Sequence, residues 1–451
     1  MKVSLTSLGA AKTVTGSKHL ISLNDFHILV DCGLYQGEDQ KHQKNQINFP
    51  AKDINAVILT HAHLDHCGYL PKLVKDGFNG PIFCTQTTRQ IAPIIQRDSA
   101  KIETNELRRK RRKTNSDQMP LYGEADIRLM EKLMQVLDYE SPHKVGPCLL
   151  TLHQAGHIPG ACSAGLKWEN GNILFSGDLG RFDDPFTYDP KVTSSYENIV
   201  LESTYGGVNH PPVSQIEELR NAIEKCIQKT GVLLIPAFSL ARTQSILFRL
   251  HEAFEKYPQL KCPIFADGPM SNEINQILIK NTLEYKGDLK ELIDDFSQLT
   301  IIAKHWESGV INKKDAPKII ISSSGMLTGG KVMGYLNEYI EDPSATIFLP
   351  GFQANGTIGK QLTLGVKTIS IEGVEKEVNA EIIHSHAFSA HADENELVKW
   401  VSSFGENPKV IFLVHGEELQ IDKLGQRLAQ EFKDTKIEVP LLNKKLELFS
   451  K

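Results

Sequence analysis

The sequence predicts an α/β protein, a sheet sandwich interrupted by a second domain built on a parallel sheet. Two textures predict it. Up to about residue 207 the chain is mostly short apolar runs bounded by Gly, Asn and Asp, and beyond that point apolar strands alternate with amphipathic helices. A third observation, histidines and aspartates placed where the apolar runs end, puts the chemistry at strand ends.

The early runs are KVSLTSLG, HLISL, FHILVDCG and INAVILTHAH, followed later by LLTLHQAGH, NILFSGDLG and NIVLEST. They are rich in Val, Ile and Leu, as strands buried within a sandwich are. Between them, residues 86–117 and 124–138 read as helices. The first contains six consecutive cations, Arg108 to Lys113, which wrap round a helix and read as a solvated surface. Residues 101–113 nevertheless carry a net +5, with seven cations against Glu103 and Glu106, enough to attract phosphate locally.

From residue 208 the order VSQIEELRNAIEKCIQ, GVLLIPA, RTQSILFRLHEAFEKY, PIFADGP, KIIISSSG, GYLNEYI and ATIFLPG reads as a parallel sheet with crossovers. The last seventy residues return to strand-like HSHAFSAH and KVIFLVHGE with a helix GQRLAQEF. The expected organisation is a first domain of residues 1–207, an insertion of 208–370, and a segment 371–451 that rejoins the first domain.

Of 451 residues, 40% are hydrophobic and 23% charged, and no apolar run reaches the ~18 residues of a membrane span. The balance of 50 basic against 55 acidic side chains, −5, excludes a global basic field. The N-terminus lacks the pattern of a signal peptide, so the cytoplasm is the expected compartment. Seven single cysteines without a CxxC pair argue against a disulfide framework or a cysteine zinc site.

The strongest local signal is His61-Ala62-His63-Leu64-Asp65-His66, directly after AVILT. In an extended segment His61 and His63 project to one side, while Asp65 and His66 can turn to a second ion. Imidazole and carboxylate suit zinc, and four ligands from one loop leave two ions in need of distant partners. His157 in AGHIPGA, Asp178 in FSGDLG and His415 in FLVHGE are the candidates.

HAHLDH, with LVDCG before it and GHIPGA and FSGDLG after it, resembles the metallo-β-lactamase superfamily. ESTYG, PAFSLARTQ, ISSSGMLTGG, FSAHAD and LVHGE resemble its β-CASP branch of nucleic-acid-processing nucleases, in matching order over nearly the whole chain. The resemblance is to bacterial and archaeal single-unit RNA nucleases, similar to the catalytic subunit of the pre-mRNA 3′-end processing endonuclease. It implies an αββα sandwich with the β-CASP domain inserted.

It also implies site residues. His61, His63 and His157 would bind one zinc, Asp65, His66 and His415 the other, and Asp178 would bridge. Asp31 would orient a histidine ring, Glu202 would be the branch's first acidic residue, and His391 would face the substrate phosphate. Such a pair, roughly 3.5–4 Å apart, holds a hydroxide at neutral pH that attacks the phosphodiester. His391 would be the acid for the leaving oxygen, with Glu202 keeping it cationic, and Asp65 counts with them as catalytic. Ser239, Arg242, Ser324 and Gly325 lie in strand-end turns that either bind backbone phosphate or merely cap helices. His384 and His386 are read as non-ligands.

The expected activity is zinc-dependent hydrolysis of single-stranded RNA, with manganese as a substitute metal and a homodimer among the expected assemblies. His415 favours RNA over DNA, because DNA-repair members of the branch lack that histidine. Endonucleolytic cutting is favoured because the chain ends soon after LVHGE, without the further C-terminal domain of larger exonuclease relatives. Three alternatives stand beside it: a 5′-exoribonuclease, a thioester or lactam hydrolase on the same zinc core, and a catalytically silent RNA-binding scaffold.

Overall fold

The computed structural model describes residues 2–114, 118–192, 194–211, 213–312 and 316–449. Two compact units divide the chain, residues 1–209 together with 391–451, and residues 210–390.

The first unit contains two seven-stranded sheets. One runs Lys445–Phe449, Val3–Ser7, His19–Leu23, Phe26–Val30, Ala56–Ile58, Ile82–Cys84 and Met134–Val136, antiparallel over its first four strands and parallel thereafter. The other runs Lys436–Glu438, Val410–Val414, Asn198–Glu202, Gly171–Phe175, Cys162–Trp168, Cys148–Gln154 and His143–Val145. Alternation along the strands builds the core. Val3 and Leu5, Ile21 and Leu23, and Ile28 and Val30 from one sheet join Leu150 and Leu152, Ala164 and Leu166, and Ile173 and Phe175 from the other in one cluster. Leu20, Leu29 and Leu174, on the opposite faces, are also buried, so each sheet is covered on its outer side. The helix Glu418–Glu431, for example, packs on Val410–Val414 and Lys436–Glu438. The result is the expected αββα sandwich.

The second unit is built on a six-stranded, wholly parallel sheet in the order Leu299–Ile302, Ile264–Asp267, Lys318–Ser322, Val232–Pro236, Thr346–Pro350 and Glu381–Ser385. Its strands are near-continuous apolar runs, such as the fully buried Val232–Pro236, because both faces are covered.

Three expectations need correction. The helix read over 124–138 ends at Leu133, and Met134–Val136 pairs as a parallel strand with Ile82–Cys84. The second crossing, expected at residue 370, falls after Ala390, because Glu381–Ser385 adds to Thr346–Pro350 rather than rejoining the sandwich. HSHAFSAH accordingly contributes only its first two residues to a strand, and that strand belongs to the insertion. The helix read over 86–117 spans Gln86–Thr114, and residues 115–117 lie outside the described residues. All seven cysteines are buried free thiols.

Candidate metal centre

Strand Ala56–Ile58 delivers the chain to His61 and His63, and His63 caps the short helix Leu64–Cys67 that carries Asp65 and His66. Gly33 makes this turn possible. A Cβ on Gly33 would stand 1.5 Å from the Asp65 carbonyl oxygen, so only glycine lets the LVDCG strand end approach so closely. Gly180 plays the same part at the other side, where a Cβ would lie 2.0 Å from the backbone nitrogen of His157.

The donor atoms fall into two groups. His63 Nδ1 lies 3.1 Å from His61 Nε2 and 3.1 Å from His157 Nε2, and both Nε2 atoms lie 3.6 Å from Asp178 Oδ2. Across from them, His66 Nε2 lies 3.1 Å from His415 Nε2 and 3.3 Å from Asp178 Oδ1, while Asp65 Oδ2 is 3.4 Å from His415 Nε2. Asp178 thus offers one oxygen to each group. The members of each group offer atoms within 4.8 Å of one another, as metal ligands do.

The chemistry of the set fits divalent cations. Burial disfavours charge on His61 and His63, and His63 is pushed down to about 4, so these rings present lone pairs rather than protons. Burial alone would raise the Asp178 carboxyl, but His415, His66 and His61 hold it far below the usual range and keep it ionised. His66 and His415 are driven the other way: burial opposes their charge, yet Asp178 with Asp31 raises His66, and Asp178 with Asp65 raises His415. Such a site draws positive charge inward. Asp178 Oδ1 is buried and accepts no hydrogen bond among the described residues, the state of an oxygen reserved for a cation.

Supports outside the donor set fix the rings. Asp31 Oδ2 lies 2.7 Å from His66 Nδ1, which places the ring proton there and leaves Nε2 free to ligate. Asp31 is held in turn by the backbone N–H of Thr60 at 2.8 Å and by its hydroxyl at 2.9 Å. The Thr60 hydroxyl also lies 3.1 Å from His61 Nδ1, and that of Thr204 lies 3.2 Å from His415 Nδ1. Neither threonine is marked by the local sequence pattern, although both lie within its motifs, LTHAH and ESTYG. Asp31, His157 and His415 all adopt positive φ, 59°, 48° and 51°. Each such non-glycine backbone costs on the order of 1–3 kcal/mol, strain that gathers at functional sites.

Glu202 and His391 complete the site. Glu202 accepts the N–H of Leu179 at 2.7 Å, and its Oε1 lies 3.2 Å from His391 Nδ1. The other ring nitrogen, Nε2, lies 3.9 Å from Asp178 Oδ2, so His391 faces the donor groups. With 18% of its side chain exposed, it is reachable from outside. Burial opposes its charge, but Glu202 outweighs that and raises His391 above the ordinary imidazole value.

The remaining residues singled out lie in the second unit. Ser239 and Arg242 follow strand Val232–Pro236, and Ser324 and Gly325 follow its neighbour Lys318–Ser322. Both loops therefore sit at carboxyl ends of adjacent parallel strands, where α/β sheets receive ligands. They touch: a Cβ on Gly325 would stand 3.0 Å from the Phe238 nitrogen. The Ser239 hydroxyl is buried without a hydrogen-bond partner among the described residues, and that of Ser324 lies 3.0 Å from Thr328 Oγ1. His384 Nε2 lies 3.0 Å from the Gly351 carbonyl.

Comparison with known proteins decides the family. The metallo-β-lactamase superfamily model matches residues 16–237, the Beta-Casp domain model residues 243–362, and a model described as a Zn-dependent metallo-hydrolase RNA specificity domain residues 375–440. Ribonuclease TTHA0252 of Thermus thermophilus is 30% identical over 432 residues, 94% of this chain and 96% of that one. The chain belongs to the metallo-β-lactamase superfamily, in its β-CASP branch. Transcription termination factor FttA of Methanosarcina mazei is a further relative, 31% identical over 96% of this chain and 69% of its own. A solved structure of a protein of unknown function from Enterococcus faecalis V583 matches with a TM-score of 0.55 at 14% identity, over 99% of this chain and 100% of that one, a likeness of fold alone. As a β-CASP protein the chain is a metal-dependent hydrolase, and among the described residues no helix is long and apolar enough to cross a membrane.

Proposed function

We propose that this β-CASP protein hydrolyses phosphodiester bonds of single-stranded RNA in the cytoplasm, cutting internally, with two zinc ions held by the seven donors above. The observation that carries the reading is the Asp178 carboxylate, whose two oxygens face two separate donor groups. His61, His63 and His157 would hold one ion and Asp65, His66 and His415 the other, with Asp178 offering one oxygen towards each group. The RNA specificity model over residues 375–440 and the ribonuclease relative favour RNA. When bound, a zinc pair lowers the pKa of a water towards roughly 7 and offsets charge on non-bridging phosphate oxygens.

The chain's own residues do the rest. Asp31 and Thr60 keep His66 and His61 in the orientation that points a lone pair inward. Glu202 holds Nδ1–H of His391, so that Nε2–H faces the reacting phosphate and donates to the departing oxygen. A leaving alkoxide needs that proton because it is a far stronger base than water. Within the second unit, Ser239, Arg242, Ser324 and Gly325 are the residues that bind RNA backbone phosphate.

The test is cleavage of matched RNA and DNA oligonucleotides and of a thioester, with metal content measured alongside. RNA cutting that a chelator abolishes supports the proposal; thioester turnover without RNA cutting overturns it.

A further inference from the structure

We propose that the exposed basic turn Arg108–Arg111 is a docking site for the RNA backbone, remote from the metal centre, that favours long substrates. It rests on the proposal that RNA is the substrate.

The helix Gln86–Thr114 has two unlike halves. Its first half is built in: Ile91 and Ala92 are fully buried, Gln96 donates to the Cys67 carbonyl at 2.8 Å, and Arg97 pairs with Glu124 and Glu131 at 3.0 Å. Glu103 accepts the N–H of Leu121 at 3.1 Å. Beyond it, Leu107 is half-buried, and Asn105, Glu106 and the four residues of the turn Arg108 to Arg111 are exposed. A turn whose four side chains are all charged and exposed gains little from burial, so its sequence answers to solvent or to a partner. The run continues into Arg112 and Lys113, whose side chains lie outside the described residues.

Cations at a helix C-terminus complement the macrodipole, but that effect fades within one turn and does not call for an unbroken series. On a chain of net charge −5, four consecutive exposed cations make a local field that fits a polyanion. The helix also fixes where that field lies. The hydroxyls of Thr85 and Thr88 donate to the Gly160 carbonyl at 2.6 and 2.9 Å, in the loop that carries His157. From Thr88 to Arg108 the helix rises about 30 Å. Only an RNA long enough to span that distance meets both sites at once.

The experiment compares the wild-type holoenzyme with an Arg108→Ala, Lys110→Ala, Arg111→Ala variant. Binding of a labelled RNA of about 40 nucleotides is followed against salt, and cleavage of an RNA of about 6 nucleotides in parallel. At roughly 0.7 counterions per contact, the salt slope for the long RNA should fall by about 2 and its low-salt affinity by about tenfold or more, with kcat/KM on the short RNA unchanged. An unchanged slope overturns the proposal, as does equal damage to short-RNA cleavage, which marks a structural role. Loss of polyglutamate binding and not of RNA binding assigns the turn to an acidic protein and likewise overturns it. If the wild type cuts neither the short nor the long RNA, the proposed function fails, whereas the long-RNA binding comparison still decides this site.

Discussion

Glu202 Oε1 lies 3.2 Å from Nδ1 of His391, and the opposite ring nitrogen faces Asp178. The carboxylate raises the imidazole against the opposing effect of burial. With the protonated ring as the proposed working form, turnover should fall as pH rises through its pKa. Glu202→Gln removes the raising charge, so that fall should begin about one pH unit lower, with a roughly tenfold deficit on the alkaline side. A pH profile of kcat/KM checks this, and an unshifted alkaline limb contradicts it.

His391→Ala should cost about 10²–10⁴-fold in kcat while the metal content stays at the wild-type level. His391 touches the donor groups from the exposed side and belongs to neither of them. Metal analysis beside the assay separates proton donation from ligation; a loss of metal would assign His391 to the shell instead.

Asp31→Asn keeps the shape but no longer fixes the Nδ1 proton of His66, 2.7 Å away. Metal affinity should fall about 10–100-fold, read by competition with a chelator. Gly33→Ala should be harsher. Its Cβ would meet the Asp65 carbonyl oxygen at 1.5 Å, so the HAHLDH turn must move, with both lower thermal stability and metal loss expected.

Much of this centre was legible in the chain because its donor side chains are packed into short motifs at strand ends. HAHLDH declares itself, and His157, Asp178 and His415 each close an apolar run. Thr60 and Thr204 were not legible, since a hydroxyl beside a ring nitrogen depends on tertiary approach, and neither were the positive φ angles at Asp31, His157 and His415. The parallel insertion could be read from its alternation, but its far edge could not. Glu381–Ser385 chooses its sheet by pairing with Thr346–Pro350, a long-range partner that no local pattern marks. Met134–Val136 was hidden for a like reason, because the helical apolar spacing before it runs on without a breaker.

Lys18 supplies a prediction independent of catalysis. It is fully buried, its ammonium bonds only the Gly16 carbonyl at 3.3 Å among the described contacts, and Tyr35 lies beneath it at 4.7 Å. Burial pushes its pKa down to about 8 from 10.5. The unfolded chain therefore binds more protons between those values, so stability rises with pH across that window, and the cost of the charge is fully present below it. Lys18→Met should raise stability at pH 7 by about 1–3 kcal/mol and flatten the rise above pH 8, measured by denaturant unfolding.

The most direct test of the central claim is cleavage of a 5′-labelled single-stranded RNA by wild type and Asp178→Ala, with and without chelator, alongside metal content. Two metal ions per chain and internal cutting that both the chelator and the substitution abolish are the predicted result. Cutting that survives either treatment, or a fully metallated chain that leaves RNA intact, would contradict it.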